Sequence, residues 1–276
     1  VNDILRLAFV GGGNMAAALI GGLTARGLPA ARIVVADPGR VQLDLLVRDY
    51  GIVAAPDNGS AVAGAEVVIL AVKPQQMRAV ALELAPRLAN PAPLVVSIAA
   101  GIPHAAVARW FGARAPVVRA MPNRPALSGF GATGLYAPIS VSDADRARAQ
   151  AIMGAVGATV WVDHESQMDT VTALSGSGPA YFFLFMEALE AAARARGLPA
   201  EIAHTLTVET AFGAAHMARG SGEALATLRE QVTSKGGTTA AALDVFDAAG
   251  LRAIVGHAVA AANRRSAELA SEYGTP

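Results

Sequence analysis

Cysteine is absent from this 276-residue chain, which excludes disulfides and thiolate-ligated metals. Net charge is absent too. The 22 basic and 22 acidic side chains cancel, so the basic bias of a nucleic-acid binder is missing. The histidines (His104, His164, His204, His216, His257) include no pair at a metal-binding spacing, and no metal is expected. No apolar run is long enough for a bilayer: the richest window, Pro179 to Met186, is followed by Glu187 and Glu190. Strand-like sequence begins at Arg6, which is read as leaving no signal or transit peptide, so a cytoplasmic protein without a membrane partner is expected. Lysine is scarce as well. Among 22 cationic side chains only Lys73 and Lys235 are lysine, and both stand in motif-like places. An ammonium there differs in shape and hydration from the arginine used elsewhere.

What is present points to a globular α/β chain, 53% apolar and long enough for two domains. The apolar run Leu5 to Val10 ends in Gly11-Gly12-Gly13, a helical pattern follows from Met15 to Arg26, and Ile33 to Asp37 reads as a second buried strand. This is a βαβ unit, and Gly11-x-Gly13-x-x-Ala16 is the alanine-ended dinucleotide fingerprint. Gly11 serves the tight turn, Gly13 lets the backbone approach a pyrophosphate, and Ala16 permits close helix–strand packing. Asp37 is placed to accept ribose hydroxyls, which favours NAD, whereas Arg40 could meet a 2′-phosphate, which favours NADP. Asp37-Pro38-Gly39 is also an ordinary turn sequence. The rhythm continues with strands at Val67–Val72, Leu94–Ile98, Val117–Ala120, Gly131–Tyr136 and Thr159–Val162, so a mostly parallel, doubly wound sheet is expected. Ala71-Val72-Lys73-Pro74, Ser97-Ile98-Ala99-Ala100-Gly101 and Met121-Pro122-Asn123 fall at the carboxyl edge, where such sheets bind ligands. The amide of Asn123 suits a carboxamide.

From Gln167 onward every pattern is helical. The expected domains are therefore 1–164, binding dinucleotide, and 165–276, all helical. Ser175-Gly176-Ser177-Gly178-Pro179 reads as a helix start, with Pro179 at the first helical position. The turns that follow, Tyr181 to Met186, are apolar on all sides and must be buried all round, which predicts a second copy of the chain and a two-fold dimer. Near the C-terminus, Val232-Thr-Ser-Lys-Gly-Gly-Thr-Thr239 precedes another helical pattern. Two readings stand: a helix cap made by Thr238 or Thr239, or a turn whose N–H groups converge on a small anion.

These motifs together resemble pyrroline-5-carboxylate reductase, over about Leu7 to Leu269. The resemblance is carried by Phe-Val-Gly-Gly-Gly-Asn-Met (9–15), Ala-Val-Lys-Pro-Gln (71–75), Val-Ser-Ile-Ala-Ala-Gly (96–101) and Met-Pro-Asn (121–123). Leu-Ser-Gly-Ser-Gly-Pro-Ala-Tyr (174–181) and Val-Thr-Ser-Lys-Gly-Gly-Thr-Thr (232–239) complete it. It implies a Rossmann-type domain, an all-helical dimerisation domain and larger rings built from dimers. It also implies reduction of 1-pyrroline-5-carboxylate to L-proline by NADPH or NADH. By motif, Val10, Gly11, Gly12, Gly13, Asn14, Met15, Asp37, Asn58, Ala71, Val72, Lys73, Pro74, Ile98, Ala99 and Ala100 line the cofactor. Ser234, Gly236, Gly237, Thr238 and Thr239 hold substrate, with Thr239 facing the imine nitrogen. Arg124 replaces the family's usual threonine, and Lys235 a common proline. The other readings are a β-hydroxyacid dehydrogenase-like enzyme, which relies on a lysine base that the helical part offers only as the loop residue Lys235, and a non-catalytic nucleotide sensor.

Overall fold

The computed structural model describes residues 5–274. In chain order, β1 (Leu7–Val10), α1 (Asn14–Ala25), β2 (Ile33–Ala36), α2 (Arg40–Tyr50), β3 (Val53–Ala54) and α3 (Asn58–Val62) are followed by β4 (Val67–Leu70) and α4 (Pro74–Leu84). Then come β5 (Leu94–Ser97), α5 (His104–Trp110), β6 (Val117–Met121), β7 (Gly131–Tyr136), α6 (Asp143–Met153) and β8 (Gly157–Trp161). The eight-stranded sheet has the order β3-β2-β1-β4-β5-β6-β7-β8 and is parallel except between β6 and β7.

All residues of β1, β2, β4 and β5 are buried. Successive side chains point to opposite faces, so Leu7 and Phe9 enter one core layer while Ala8 and Val10 enter the other. That double burial is why these strands read as unbroken apolar runs. Strands expected to reach Asp37, Val72 and Ile98 stop at Ala36, Leu70 and Ser97. The residues beyond stay apolar or half-buried, but their backbone turns away to build the carboxyl edge. The order of the sheet reverses between β1 and β4, which opens a crevice there.

After β8 the described chain is helical: α7 (Gln167–Val171), a π-helical turn (Thr172–Gly176), α8 (Gly178–Ala195), α9 (Ala200–Ser221), α10 (Leu225–Gln231), α11 (Thr238–Ala248) and α12 (Leu251–Tyr273). The helix expected from Pro179 is present as α8, starting one residue earlier, but it is entered from a backbone already helical from Gln167 and not from a loop.

Packing separates two units, one holding the chain up to Ser177 together with the segment from Ala261, the other Gly178–Ala260. This differs from a division at 164/165 because α7 and the end of α12 are tied to each other and to the sheet domain. Ser266 donates to Asp169 Oδ1 at 2.7 Å, Asn263 to Thr170 Oγ1 at 2.9 Å, and Gln75 Nε2 to the Tyr273 hydroxyl at 3.0 Å. Within the second unit, Phe182, Phe183 and Leu184 are 70%, 63% and 67% exposed in the single chain. These three side chains at the start of α8 are open in the single chain, whereas Phe185 packs against Phe246 with ring centres 5.9 Å apart. Among the described residues, no single helix is long and apolar enough to cross a membrane; α11 and α12 reach that hydropathy only as a pair bent by 54°.

Candidate functional site

A groove of about 500 Å³ lies at the carboxyl edge of the sheet. It brings together Gly11 and Gly13 after β1, Asp37 after β2, Asn58 at the start of α3, and Ala71, Val72 and Lys73 after β4. Each glycine has its own reason. Gly11 has a φ of +99°, and a Cβ there would lie 2.6 Å from the carbonyl oxygen of Ala71. At Gly13 a Cβ would meet nothing within 4 Å, so the backbone faces open space at the N-cap of α1. Ala16 is fully buried, as close packing of α1 on the sheet requires.

The Asp37 carboxylate is tied down at both oxygens. Gly12 N–H donates to Oδ2 at 2.6 Å and Gly39 N–H to Oδ1 at 2.6 Å. Asn58 Nδ2 donates to Glu83 Oε2 at 3.2 Å. Asp57 caps α3 by accepting from Ser60 N–H at 2.7 Å, and these bonds hold its carboxyl below the usual range. Asp57, Gln76 and Glu83 line the groove although sequence reasoning did not name them. The cap pattern at Asp57–Ser60 was the available signal for the first; no sequence pattern marks the other two. Gly12 contributes its N–H to Asp37 rather than lining the groove, and Val10 is fully buried beneath it. Asn14, Met15, Pro74 and Ile98 to Ala100 are also outside the lining, the last three because β5 ends one strand further along the edge.

Asn123, expected to hold a carboxamide, uses both ends of its amide within the chain. Its Oδ1 accepts from Ala132 N–H at 2.9 Å, and its Nδ2 donates to the carbonyl of Ser175 at 2.9 Å. Ser175 is inside the helical path, and the residue four positions on is Pro179, which has no N–H to give. Asn123 therefore serves a carbonyl that the helix itself leaves without its usual donor. Arg124 opens the next turn and is exposed.

Beside it, Arg119 on β6 is 4% exposed and donates to Glu165 Oε1 at 3.0 Å. The same carboxylate oxygen accepts the N–H of His104. Burial lowers the pKa of His104, and the attraction of Glu165 only partly opposes it.

In the second unit, Gly236 has a φ of +71° and Gly237 N–H donates to Ser234 O at 3.0 Å, so the chain turns tightly into α11. Gly237 is the N-cap, and no side chain caps the helix. The cap reading for Thr238 or Thr239 is thereby set aside: both are already inside the first turn. Lys235 and Ser234 are exposed and Thr239 is half-buried. An uncapped helix start behind a double glycine presents N–H groups and a positive dipole end.

Comparison with known proteins agrees with this geometry. Residues 165–269 match the family model for pyrroline-5-carboxylate reductase dimerisation, and residues 6–101 match one for NADP oxidoreductase, coenzyme F420-dependent. A pyrroline-5-carboxylate reductase from Pseudomonas aeruginosa is 52% identical over 269 residues, covering 98% of each chain. The solved structure of a pyrroline-5-carboxylate reductase from Coxiella burnetii superposes with a TM-score of 0.93 at 42% identity, covering 97% of this chain and 99% of that one. The Plasmodium falciparum pyrroline carboxylate reductase, solved with NADP bound, gives a TM-score of 0.84 at 26% identity, covering 96% and 98%. With its two halves matched to such relatives from end to end, the chain belongs to the pyrroline-5-carboxylate reductase family.

Proposed function

We propose that this chain reduces the cyclic imine of 1-pyrroline-5-carboxylate to L-proline, the last step of proline biosynthesis, using NADPH or NADH. The observation that carries this reading is the combination, in one chain, of a dinucleotide groove at the sheet's switch point and an uncapped helix start behind Gly236-Gly237. The groove fits a dinucleotide because Gly13 leaves its backbone open and Gly11 allows the tight turn. Gly11, Gly13, Asp37, Asn58 and Ala71 to Lys73 hold the cofactor, with Gly12 setting the loop through Asp37 and Ile98 to Ala100 giving room beside it. When bound, the nicotinamide supplies a hydride.

The remaining chemistry is positioning. A protonated imine is already electrophilic, so its carbon takes the hydride and the C=N π electrons settle on nitrogen, giving the secondary amine with no further acid. The N–H groups at the start of α11 take the substrate carboxylate. Ser234 and Thr238 flank it, and the Thr239 hydroxyl hydrogen-bonds the nitrogen. No base is needed, which sets this apart from a dehydrogenase relying on lysine. Assembly as a two-fold dimer through the exposed start of α8, growth of dimers into a ring and a cytoplasmic location belong to the same proposal.

The test is direct. Protein, 1-pyrroline-5-carboxylate and either reduced nicotinamide nucleotide should show loss of nicotinamide absorbance with L-proline as product. Thr239→Ala should lower kcat about 10- to 100-fold, as loss of one positioned hydrogen bond does, with cofactor Kd unchanged. Unaltered turnover in that variant removes Thr239 from the mechanism; no turnover in the parent protein removes the activity.

A further inference from the structure

The last turns of α12 carry one inward face. Ser266, Leu269, Ala270 and Tyr273 recur at helical spacing, with Ser266 buried and the other three half-buried. On the other side Arg265 reaches Glu268 at 2.8 Å and Glu272 at 3.3 Å, and all three are exposed. The inward face belongs with the sheet domain, since the segment from Ala261 packs as part of the first unit. It lies on two loops of the carboxyl edge. After β5, a Cβ on Gly101 would lie 3.0 Å from the Cβ of Leu269, so the helix sits directly on the loop backbone. A Cβ on Gly274 would lie 2.9 Å from the ring of Pro103, and Arg109 of α5 donates to the Gly274 carbonyl at 3.1 Å. After β4, Gln75 Nε2 donates to the Tyr273 hydroxyl at 3.0 Å. The Tyr273 ring packs against the core layer that holds Ala99 and Ile102.

Both loops adjoin the dinucleotide groove. Gln75 follows directly on Lys73 and Pro74, and Gly101 on Ile98 to Ala100. The sheet order reverses between β1 and β4, with Asp37 on the β2 side. A dinucleotide laid across that crevice has its adenosine half toward β2 and its nicotinamide half toward β4 and β5. The end of α12 therefore touches both loops on the nicotinamide side, while neither Leu269 nor Tyr273 lines the groove itself. Hydride transfer is sensitive to small displacements of the reacting carbon, so loops held from behind matter to the site they carry. Given the groove as the cofactor site, we infer that Leu269 and Tyr273 are positioning residues. They make the end of α12 a strap that sets the loops after β4 and β5 to receive the nicotinamide half of the cofactor.

The test separates the two halves of the cofactor by binding and needs no turnover. Full-length protein is titrated with NADH and NADPH by nucleotide fluorescence, and with 5′-AMP by calorimetry. Tyr273→Phe, which removes only the hydroxyl, should raise the Kd of the reduced dinucleotides about 3- to 10-fold, as loss of one hydrogen bond does. Leu269→Ala should do at least as much, and Leu269→Met should restore the parent affinity. In each variant the Kd of 5′-AMP should stay within about twofold of the parent value. Because Tyr273 acts through Gln75, Gln75→Ala combined with Tyr273→Phe should cost no more than Tyr273→Phe alone. If Leu269→Ala fails to fold, Tyr273→Phe and the double variant decide the matter. Dinucleotide and 5′-AMP affinities that weaken together, or that both stay at the parent values, would overturn the inference while leaving the groove intact. Binding of neither dinucleotide nor 5′-AMP by the parent protein would overturn the groove assignment along with it.

Discussion

Replacing Asn123 with alanine strips the partners from two main-chain groups at once. Ala132 N–H loses its acceptor and the carbonyl of Ser175 loses its donor. The carbonyl is the more exposed to loss, because Pro179 offers no N–H in its place. Leaving a fully buried group unpaired costs about 1–3 kcal/mol. Ala132 and Ser175 are half-buried, so water reaches them in part and the lower half of that range applies to each. Together the two losses come to about 2–4 kcal/mol. At about 2–4 °C per kcal/mol for a unit of this size, the melting temperature should fall by about 5–15 °C. Thermal unfolding followed by circular dichroism reads that shift. Hydrogen exchange gives a local check: the Ala132 amide should exchange much faster in the variant, while the β7 amides bonded within the sheet stay protected. A fall of less than about 2 °C, with Ala132 still protected, would refute the bracing role of Asn123.

Three further outcomes follow from the same geometry. The pKa of His104 is lowered from its ordinary value of 6.5, so on acidification the unfolded chain takes up that proton first. The stability linked to it is complete above about pH 6.5 and is lost as pH falls toward the folded pKa, so melting temperature should drop over that window and His104→Gln should flatten the drop; an unchanged profile would contradict this. Phe183 on α8 is 63% exposed in the single chain, and Phe183→Glu should shift the protein to a smaller species by light scattering, because a charge cannot be buried unpaired in a subunit interface. Gly11→Ala, with φ at +99° and a Cβ 2.6 Å from Ala71 O, should cost at least about 2 kcal/mol and weaken nucleotide binding more than tenfold, read by melting and fluorescence titration.

Much of this was legible along the chain. Continuous apolar strands ending in glycine or Lys-Pro define a doubly wound sheet and its ligand edge, since periodicity and turn chemistry are local properties. At the double glycine 236–237 the chain pattern left two readings open, a side-chain cap or a turn presenting N–H groups; the tight turn itself was legible because the positive φ of Gly236 is a local property. Partnerships over long sequence distances were not legible. That Asn123 would serve Ser175 and that Asp37 would hold Gly12 depend on where the chain returns in space. The helix expected at Pro179 does begin there, at Gly178, but capping rules describe a chain entering a helix from a loop. Here the helical path is already under way, and the amide of Asn123, from a distant strand end, donates to the Ser175 carbonyl that Pro179 cannot serve. Sequence determined the elements and the chemistry each one carries. The tertiary structure decided which donors remain free, because a hydrogen-bonding group is spent only when its partner arrives within reach.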